Sequence, residues 1–168
     1  MTDAVIEALR SEFSDLSDPA RVTAIVVRLL LAALLGGALG YQRERSGKSA
    51  GMRTHMLVAI GSALFVVVPL QGGMPIGELG RVIQGIVTGI GFLGAGAIIK
   101  HRSDEHVLGL TTAAGVWMTA AIGVTCGLGR ESTALLGTAL ALAVLALIPH
   151  LAARAPFEAQ DSGRDADR

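Results

Sequence analysis

The sequence predicts an all-α integral membrane protein, a compact bundle of about five transmembrane helices with an N-terminal amphipathic helix. Composition is the first observation behind this fold class, because 51% of the residues are hydrophobic and only 17% are charged, with a mean hydropathy of +0.56. The second is charge spacing. Asp, Glu, Lys and Arg are absent from four windows close to the length of a membrane span, 54–77, 82–99, 107–129 and 132–149.

The N-terminal segment, residues 1–18, is predicted to form an amphipathic helix on the membrane surface. Its apolar residues Ile6, Leu9, Phe13 and Leu16 recur at helical spacing, with acidic residues between them. A frayed tail is the alternative, since chain termini are often poorly ordered.

The transmembrane domain is predicted over residues 19–151. Its first helix follows Asp18-Pro19, where Asp suits the N-cap and proline suits the first helical position. A polar tail over 152–168 carries both charge signs and is predicted to be disordered in the cytoplasm. The predicted helices cover about 20–41, 54–70, 80–99, 107–126 and 132–150.

Counts of Lys and Arg predict the orientation in a bacterial inner membrane. Nine of them fall in the loops 42–55 and 100–106 and in the C-terminal tail, whereas the other side has four, Arg10, Arg21, Arg81 and Arg130. The side with more basic residues is normally cytoplasmic. The N-terminus is therefore expected outside and the C-terminus inside.

Residues 89–94 contain a literal G-x-G-x-x-G. A dinucleotide-binding turn needs a preceding strand and an acidic residue about 20 positions further on, which an uncharged run of membrane length does not provide. We expect no nucleotide and no other cofactor. The glycines instead predict close helix packing, since small residues let two backbones approach. The residues expected to pack in this way are Gly36, Gly40, Gly85, Gly89, Gly91, Gly94 and Gly96.

Polar residues inside the predicted spans form a second candidate group. Arg81, Gln84 and Thr88 recur at helical spacing and are expected to face the bundle, which leaves branched residues such as Ile90 toward lipid or larger neighbours. Arg28 is the one charge within residues 22–41 of the first predicted helix. It is either functional, as many intramembrane arginines are, or it extends its side chain to the outer interface.

Polar residues from three segments converge on the predicted cytoplasmic side. One interpretation is an ion-paired latch, in which Glu44 bonds to Arg53 or His55. Another is a site for an anionic group, such as a lipid headgroup or a partner carboxylate. A third is ordinary positive-inside charge. The threonines either cap a helix or receive an anion at its start. The set is Arg43, Glu44, Arg45, Arg53, Thr54, His55, Thr111 and Thr112.

Three segments resemble the MgtC/SapB family of bacterial membrane proteins: "GYQRERSGKSAGMRTHMLVAIGSALF" (40–65), "RVIQGIVTGIGFLGAGAII" (81–99) and "GLTTAAGVWMTAAIG" (109–123). The match covers roughly residues 26–128, in order and with family-like spacing. The resemblance implies an inner-membrane protein with about five helices. It also implies a link to magnesium limitation and, in some pathogens, to survival inside host cells.

Two features depart from that family pattern. Family members often carry Arg before the G-L-T-T-A-A segment, where this chain has Leu108. Longer members also have a cytoplasmic C-terminal domain, whereas this chain ends soon after the last predicted helix. Any function of that domain is expected to be missing.

The function predicted from these residues is non-enzymatic. Magnesium prefers hard oxygen ligands, yet no Asp or Glu lies inside a predicted span, so the residues that would hold a metal are left open. An enzymatic nucleophile needs a base and an orienting acid, and the pair Ser62 and His55 lacks the acid. The leading hypothesis is a protein of ion homeostasis or stress adaptation that modulates a membrane partner. The alternative is a channel or transporter for magnesium, another ion or a small solute.

The expected partners follow from the same composition. The lipid bilayer is the first, and a membrane protein or a second copy of the chain is the next. Net charge is zero, which gives no electrostatic bias toward nucleic acid, so no nucleic-acid partner is expected.

Overall fold

A computed structural model describes residues 1–14, 17–100 and 107–152. A turn of 3-10 helix, Ile76–Glu78, precedes the fourth helix. A two-residue antiparallel pair, β1 (Ile99–Lys100) with β2 (Val107–Leu108), connects the fourth and fifth helices. Within the described residues the α-helices are α1 (Thr2–Glu12), α2 (Pro19–Arg45), α3 (Met52–Gln71), α4 (Leu79–Ala97), α5 (Leu110–Gly127) and α6 (Glu131–Ala152).

The all-α membrane bundle predicted from composition is confirmed. Four helical segments of the described chain are long and apolar enough to cross a membrane: α2, α3, Ile76–Ala97 and α5. α6 adds a further apolar helix, shorter over Glu131–Leu147. The N-terminal helix is present as α1, with every residue exposed. Beyond residue 152, the predicted tail lies outside the described residues.

The first membrane helix begins where predicted but ends later. The Asp18 side chain accepts a hydrogen bond from the backbone N–H of Ala20 at 2.9 Å, and Pro19 is the first helical residue. α2 continues to Arg45 rather than ending near 41, because Arg and Glu are good helix formers outside the apolar run. It stops before Gly47, whose φ of +68° suits glycine at a helix end.

α3 is the central helix, since it packs extensively against both α2 and α5, which also contact each other. Small residues make this packing close. A Cβ built on Gly36 of α2 would lie 2.7 Å from the carbonyl oxygen of His55, and one on Gly123 of α5 would meet the carbonyl oxygen of Ala59. Gly40 and Gly127 are in the same situation. Backbones at this distance pack tightly without needing a hydrophobic driving force, which lipid does not supply.

The described core lies along this three-helix contact. α2 contributes the larger side chains, α3 contributes small ones, and α6 adds Ala134. The buried residues of this core are Ala32, Leu35, Leu39, Ala59, Ala63, Ile122, Cys126 and Ala134.

α4 faces the opposite way from the prediction. Its branched residue Ile90 is buried against Val116 and Ala120 of α5, whereas Arg81, Gln84 and Thr88 are exposed. The physical reason is that α5 presents side chains here rather than backbone, so branched residues fill the gap better than glycine does.

The glycines of α4 therefore do not hold a helix pair together within the described chain. A Cβ built on Gly85, Gly89, Gly91 or Gly96 would meet no atom within 4 Å. Gly94 differs, since it is buried and its added Cβ would lie 3.6 Å from the Cβ of Ala113. The prediction of close approach thus fits the glycines of α2 and not those of α4.

The fifth helix begins at Leu110 rather than near 107. Val107–Leu108 pairs with β1 instead, and Gly109 turns the chain with a φ of +95°. A Cβ at Gly109 would collide with the carbonyl oxygen of Ala97. Both the backbone angle and the lack of space therefore require glycine before α5.

Candidate functional site at the polar end

The bundle has a polar end, where α2 ends and α3 and α5 begin. Arg43, in the last turn of α2, is only 3% exposed despite its charge. Its Nη2 donates a hydrogen bond to Oγ1 of Thr112, also buried, at 3.3 Å. This bond joins α2 to the first turn of α5.

His55 brings α3 into the same cluster. The residue is fully buried, and its Nδ1 lies 2.9 Å from the carbonyl oxygen of Gly51. A carbonyl can only accept, so Nδ1 carries a hydrogen, and Nε2 is an acceptor when the ring is neutral. A Cβ built on Gly115 would lie 3.5 Å from His55 Nε2 and 3.9 Å from Arg43 Nε. Both nitrogens therefore border the space left by the missing side chain of Gly115.

These two nitrogens define the chemistry of the cluster. Neither Arg43 Nε nor His55 Nε2 has a hydrogen-bond partner in the described part of the chain, and Arg43 forms no ion pair there. Buried polar groups are normally bonded, and a buried cation is costly without compensation. A group that accepts from Arg43 and donates to His55 would satisfy both. The cluster is thus a polar site that three helices leave incomplete.

Glu44 does form a latch, but not an ion pair. Its Oε2 accepts the backbone N–H of Met52 at 2.9 Å, at the first residue of α3. The predicted bond to Arg53 or His55 is therefore replaced by a cap on a free N–H of the helix start. Among the described residues the ion pair found joins Arg21 and Asp18, at the opposite end of α2.

The predicted cluster divides into two parts. Arg43, His55 and Thr112 are buried together, as described above. The remaining members are exposed on the surface of the polar end: Glu44, Arg45, Arg53, Thr54 and Thr111.

Two participants were missed by the sequence analysis. Gln42 donates from Nε2 to the carbonyl oxygen of Leu145 at 3.3 Å and so ties α2 to α6. Gly115 provides the space beside the two unpaired nitrogens. A signal for Gly115 exists in the sequence, because Gly115, Thr119, Gly123 and Gly127 recur at every fourth residue of α5. All four are buried.

A cavity of about 340 Å³ lies beside this cluster, between α2, α5 and α6. Its walls are mainly apolar, and His55 and Thr111 line it toward the polar end. Among the described residues, no group of three or more His, Cys, Asp or Glu side chains is placed to hold a metal ion.

Arg28 lies far from the polar end and has a definite partner. Its Nη1 donates to the carbonyl oxygen of Gly127 at 3.2 Å, at the C-terminus of α5. A cation is favoured at that end of a helix, where carbonyl groups are left free. Arg28 therefore ties α2 to α5 at the second end of the bundle.

Comparison with known proteins decides the family. The model of the MgtC family matches residues 29–154. The chain belongs to the MgtC family. No solved structure matches it.

Three curated relatives illustrate the match. SrpB of Synechococcus elongatus is 47% identical over 129 residues, which is 70% of this chain and 71% of SrpB. YhiD of Escherichia coli K12, named as a candidate magnesium transporter, is 40% identical over 136 residues, covering 77% of this chain and 62% of YhiD. MgtC of Salmonella typhimurium is 42% identical over 129 residues, covering 77% and 54%. The matched part thus spans little more than half of MgtC itself.

The family and the apolar helices together make this chain a bacterial membrane protein linked to magnesium through its relatives. The segments 40–65 and 109–123, which carry the family resemblance, contribute Arg43, His55 and Thr112. Two of the three segments that carry the resemblance therefore meet at the polar end, whereas the third, 81–99, covers most of α4.

Proposed function

We propose that this MgtC-family chain is a non-enzymatic protein of the bacterial inner membrane that modulates a membrane partner in magnesium or ion homeostasis, or in stress adaptation. The observation that carries the proposal is the polar end itself. A buried and incompletely bonded cluster, Arg43 with His55 and Thr112, lies beneath an exposed surface that is rich in basic residues.

The exposed surface suits a partner that approaches from the cytoplasm. Arg45, Lys48 and Arg53 are exposed there, and positive-inside counting assigns this side to the cytoplasm. A cytoplasmic C-terminus follows from the same counting. Basic residues at the membrane surface attract acidic protein segments and anionic headgroups alike.

The proposal also fits the scarcity of carboxylate side chains, the usual protein ligands of magnesium, in the helices. Residues 52–71, 79–97 and 110–127, which form α3, α4 and α5, contain no Asp or Glu. Magnesium sites in proteins normally use one or two carboxylates. Among the described residues, the cavity beside His55 and a second cavity at the opposite end have no lining residue in common.

Site-specific photo-cross-linking in cells under magnesium limitation tests this function. A photoreactive residue at position 48 is expected to capture a reproducible membrane protein, because Lys48 is exposed among the basic residues of the polar end. Arg53→Gln should reduce the captured product, whereas Arg81→Gln, the same change on exposed α4, should not. Equal capture in both variants, or no product at all, would argue against modulation through the polar end.

A channel or transporter is the second candidate. The observation in its favour is the exposed face of α4, where Arg81, Gln84 and Thr88 are available to line a path between several copies. Purified protein in liposomes, loaded with dyes for magnesium, sodium, potassium and protons, tests this function. Flux that falls in Thr88→Val would support the transporter, and the absence of flux from protein of verified fold would support the modulator.

A further inference from the structure

A second cavity, of about 370 Å³, opens between α2 and α3 at the far end of the bundle, opposite the polar end. Its walls are of two kinds. Guanidinium and amide groups line one part, and small or branched apolar side chains line the other. The residues that matter are Arg21, Ala24, Arg28, Val67, Leu70 and Gln71.

The charge of this cavity is positive. No Asp or Glu of the described residues lines it. Arg21 Nε lies 3.4 Å from Asp18 Oδ2, with both side chains at least half exposed, while Arg28 donates through Nη1 to the Gly127 carbonyl. Each guanidinium has five N–H donors, so donors remain on both arginines after these contacts.

The positions of Arg21 and Arg28 along α2 indicate which layer of the bilayer they contact. α2 has 27 residues, which gives a length of about 40 Å and matches a bilayer with its headgroup layers. Arg21 lies in the first turn of that helix, at headgroup level. Arg28 lies two turns further along, and its side chain reaches the end of α5. The cavity therefore lies where lipid phosphates and glycerol esters are found.

We propose that this cavity binds the head of an anionic phospholipid. The phosphodiester accepts hydrogen bonds from Arg21 and Arg28, and the glycerol and first methylenes contact Ala24, Val67 and Leu70. A planar guanidinium matches phosphate geometry, and charge-assisted bonds of this kind are strong. The apolar part of the wall favours a lipid over free phosphate. This site goes beyond the proposed function, since it lies at the other end of the bundle and requires no partner protein.

Native mass spectrometry of the purified full chain, released from detergent with added lipid, tests the proposal. Phosphatidylglycerol should remain bound about tenfold more than phosphatidylcholine of the same chains, because both lipids carry the phosphodiester but the guanidinium groups repel the choline cation, and tenfold corresponds to roughly 1.4 kcal/mol. Arg21→Gln should abolish that preference. Arg28→Gln should abolish it too, but it also removes the Gly127 bond, so Arg21→Gln keeps the test valid if Arg28→Gln does not fold.

Arg81→Gln is the matched control, because Arg81 is an exposed arginine of α4 that does not line this cavity. It should retain the full preference. Equal retention of the two lipids by the wild type, or equal loss in Arg21→Gln and Arg81→Gln, would overturn the site. Displacement of phosphatidylglycerol by inorganic phosphate at the same concentration would overturn the choice of a lipid.

Discussion

α4 and α5 carry similar residue types at similar spacing, but only one of them turns those residues inward. One face of α5 is buried, and it carries Thr112, Gly115, Thr119, Gly123 and Gly127. The corresponding residues of α4, including Thr88 and Gly89, are exposed. A stripe of small and polar residues therefore marks one face of a helix. Whether that face is buried within the chain depends on the helix that packs next to it.

The physical basis of the difference is the backbone of α3. Gly123 lies against the Ala59 carbonyl oxygen, where no side chain fits. Gly89 has no atom of the described chain within 4 Å of an added Cβ. Lipid supplies little hydrophobic drive for helix association. The glycine face of α5 is therefore buried because the α3 backbone approaches it closely, whereas the glycine face of α4 has no such neighbour and stays exposed.

The largest expected effect comes from the same substitution, Gly to Leu, at Gly123 of α5 and at Gly89 of α4. Gly123→Leu should lower the free energy of unfolding by about 3 kcal/mol or more, the upper part of the range for overpacking, because α3 and α5 must separate. Gly89→Leu should be neutral or slightly stabilising, since Leu is the better helix former. Thermal unfolding of the detergent-solubilised protein measures both. Equal loss in the two variants would mean that α4 also packs through its glycines.

The second effect concerns the far end. Arg28→Met should lower the free energy of unfolding by roughly 1.5–3 kcal/mol, the range for hydrogen bonds to charged groups, because the carbonyl of Gly127 loses its donor. Arg81→Met on the outer face of α4 should change stability by less than about 0.5 kcal/mol, as is usual for surface positions. Unfolding in a denaturing detergent compares the pair. A loss as large for Arg81 as for Arg28 would contradict the account of the α2–α5 contact.

A smaller effect separates two threonines. Thr112→Val removes the hydroxyl that accepts from Arg43 and should cost about 1–2 kcal/mol, because a buried cation then loses its bond. Thr88→Val is nearly isosteric, and the Thr88 hydroxyl donates to the Gln84 carbonyl of its own helix, at 2.9 Å. It should be close to neutral. The same unfolding assay applies, and a neutral Thr112→Val would show that the Arg43 bond adds nothing to stability.

The smallest effect is expected at the latch. Glu44→Ala removes the cap on Met52 and should cost about 1 kcal/mol, as loss of a helix cap typically does. Glu44→Gln should cost less, since the amide oxygen can still accept that N–H. Unfolding of the two variants side by side measures the difference. Equal destabilisation would mean that the charge of Glu44, rather than its acceptor oxygen, stabilises the start of α3.

Features that depend only on position along the chain were predictable from the sequence. Apolar windows of membrane length predicted the spans, and the position of Arg43 and His55 near helix boundaries placed them at one end. The orientation of α4 was predicted wrongly from its polar stripe, because the orientation depends on the side chains that α5 presents to Ile90. The burial of Arg43 also escaped prediction, because it depends on the space that Gly115 leaves on another helix.

The central claim is that the polar end, rather than the stripe on α4, carries the function. Complementation of a deletion strain during growth at limiting magnesium tests it most directly, with each variant present at the wild-type level in the membrane. Glu44→Gln, which keeps the cap but removes the acid among the basic residues, should fail to restore growth, whereas Thr88→Val should restore it fully. Full growth with Glu44→Gln and failure with Thr88→Val would contradict the claim and favour transport along α4.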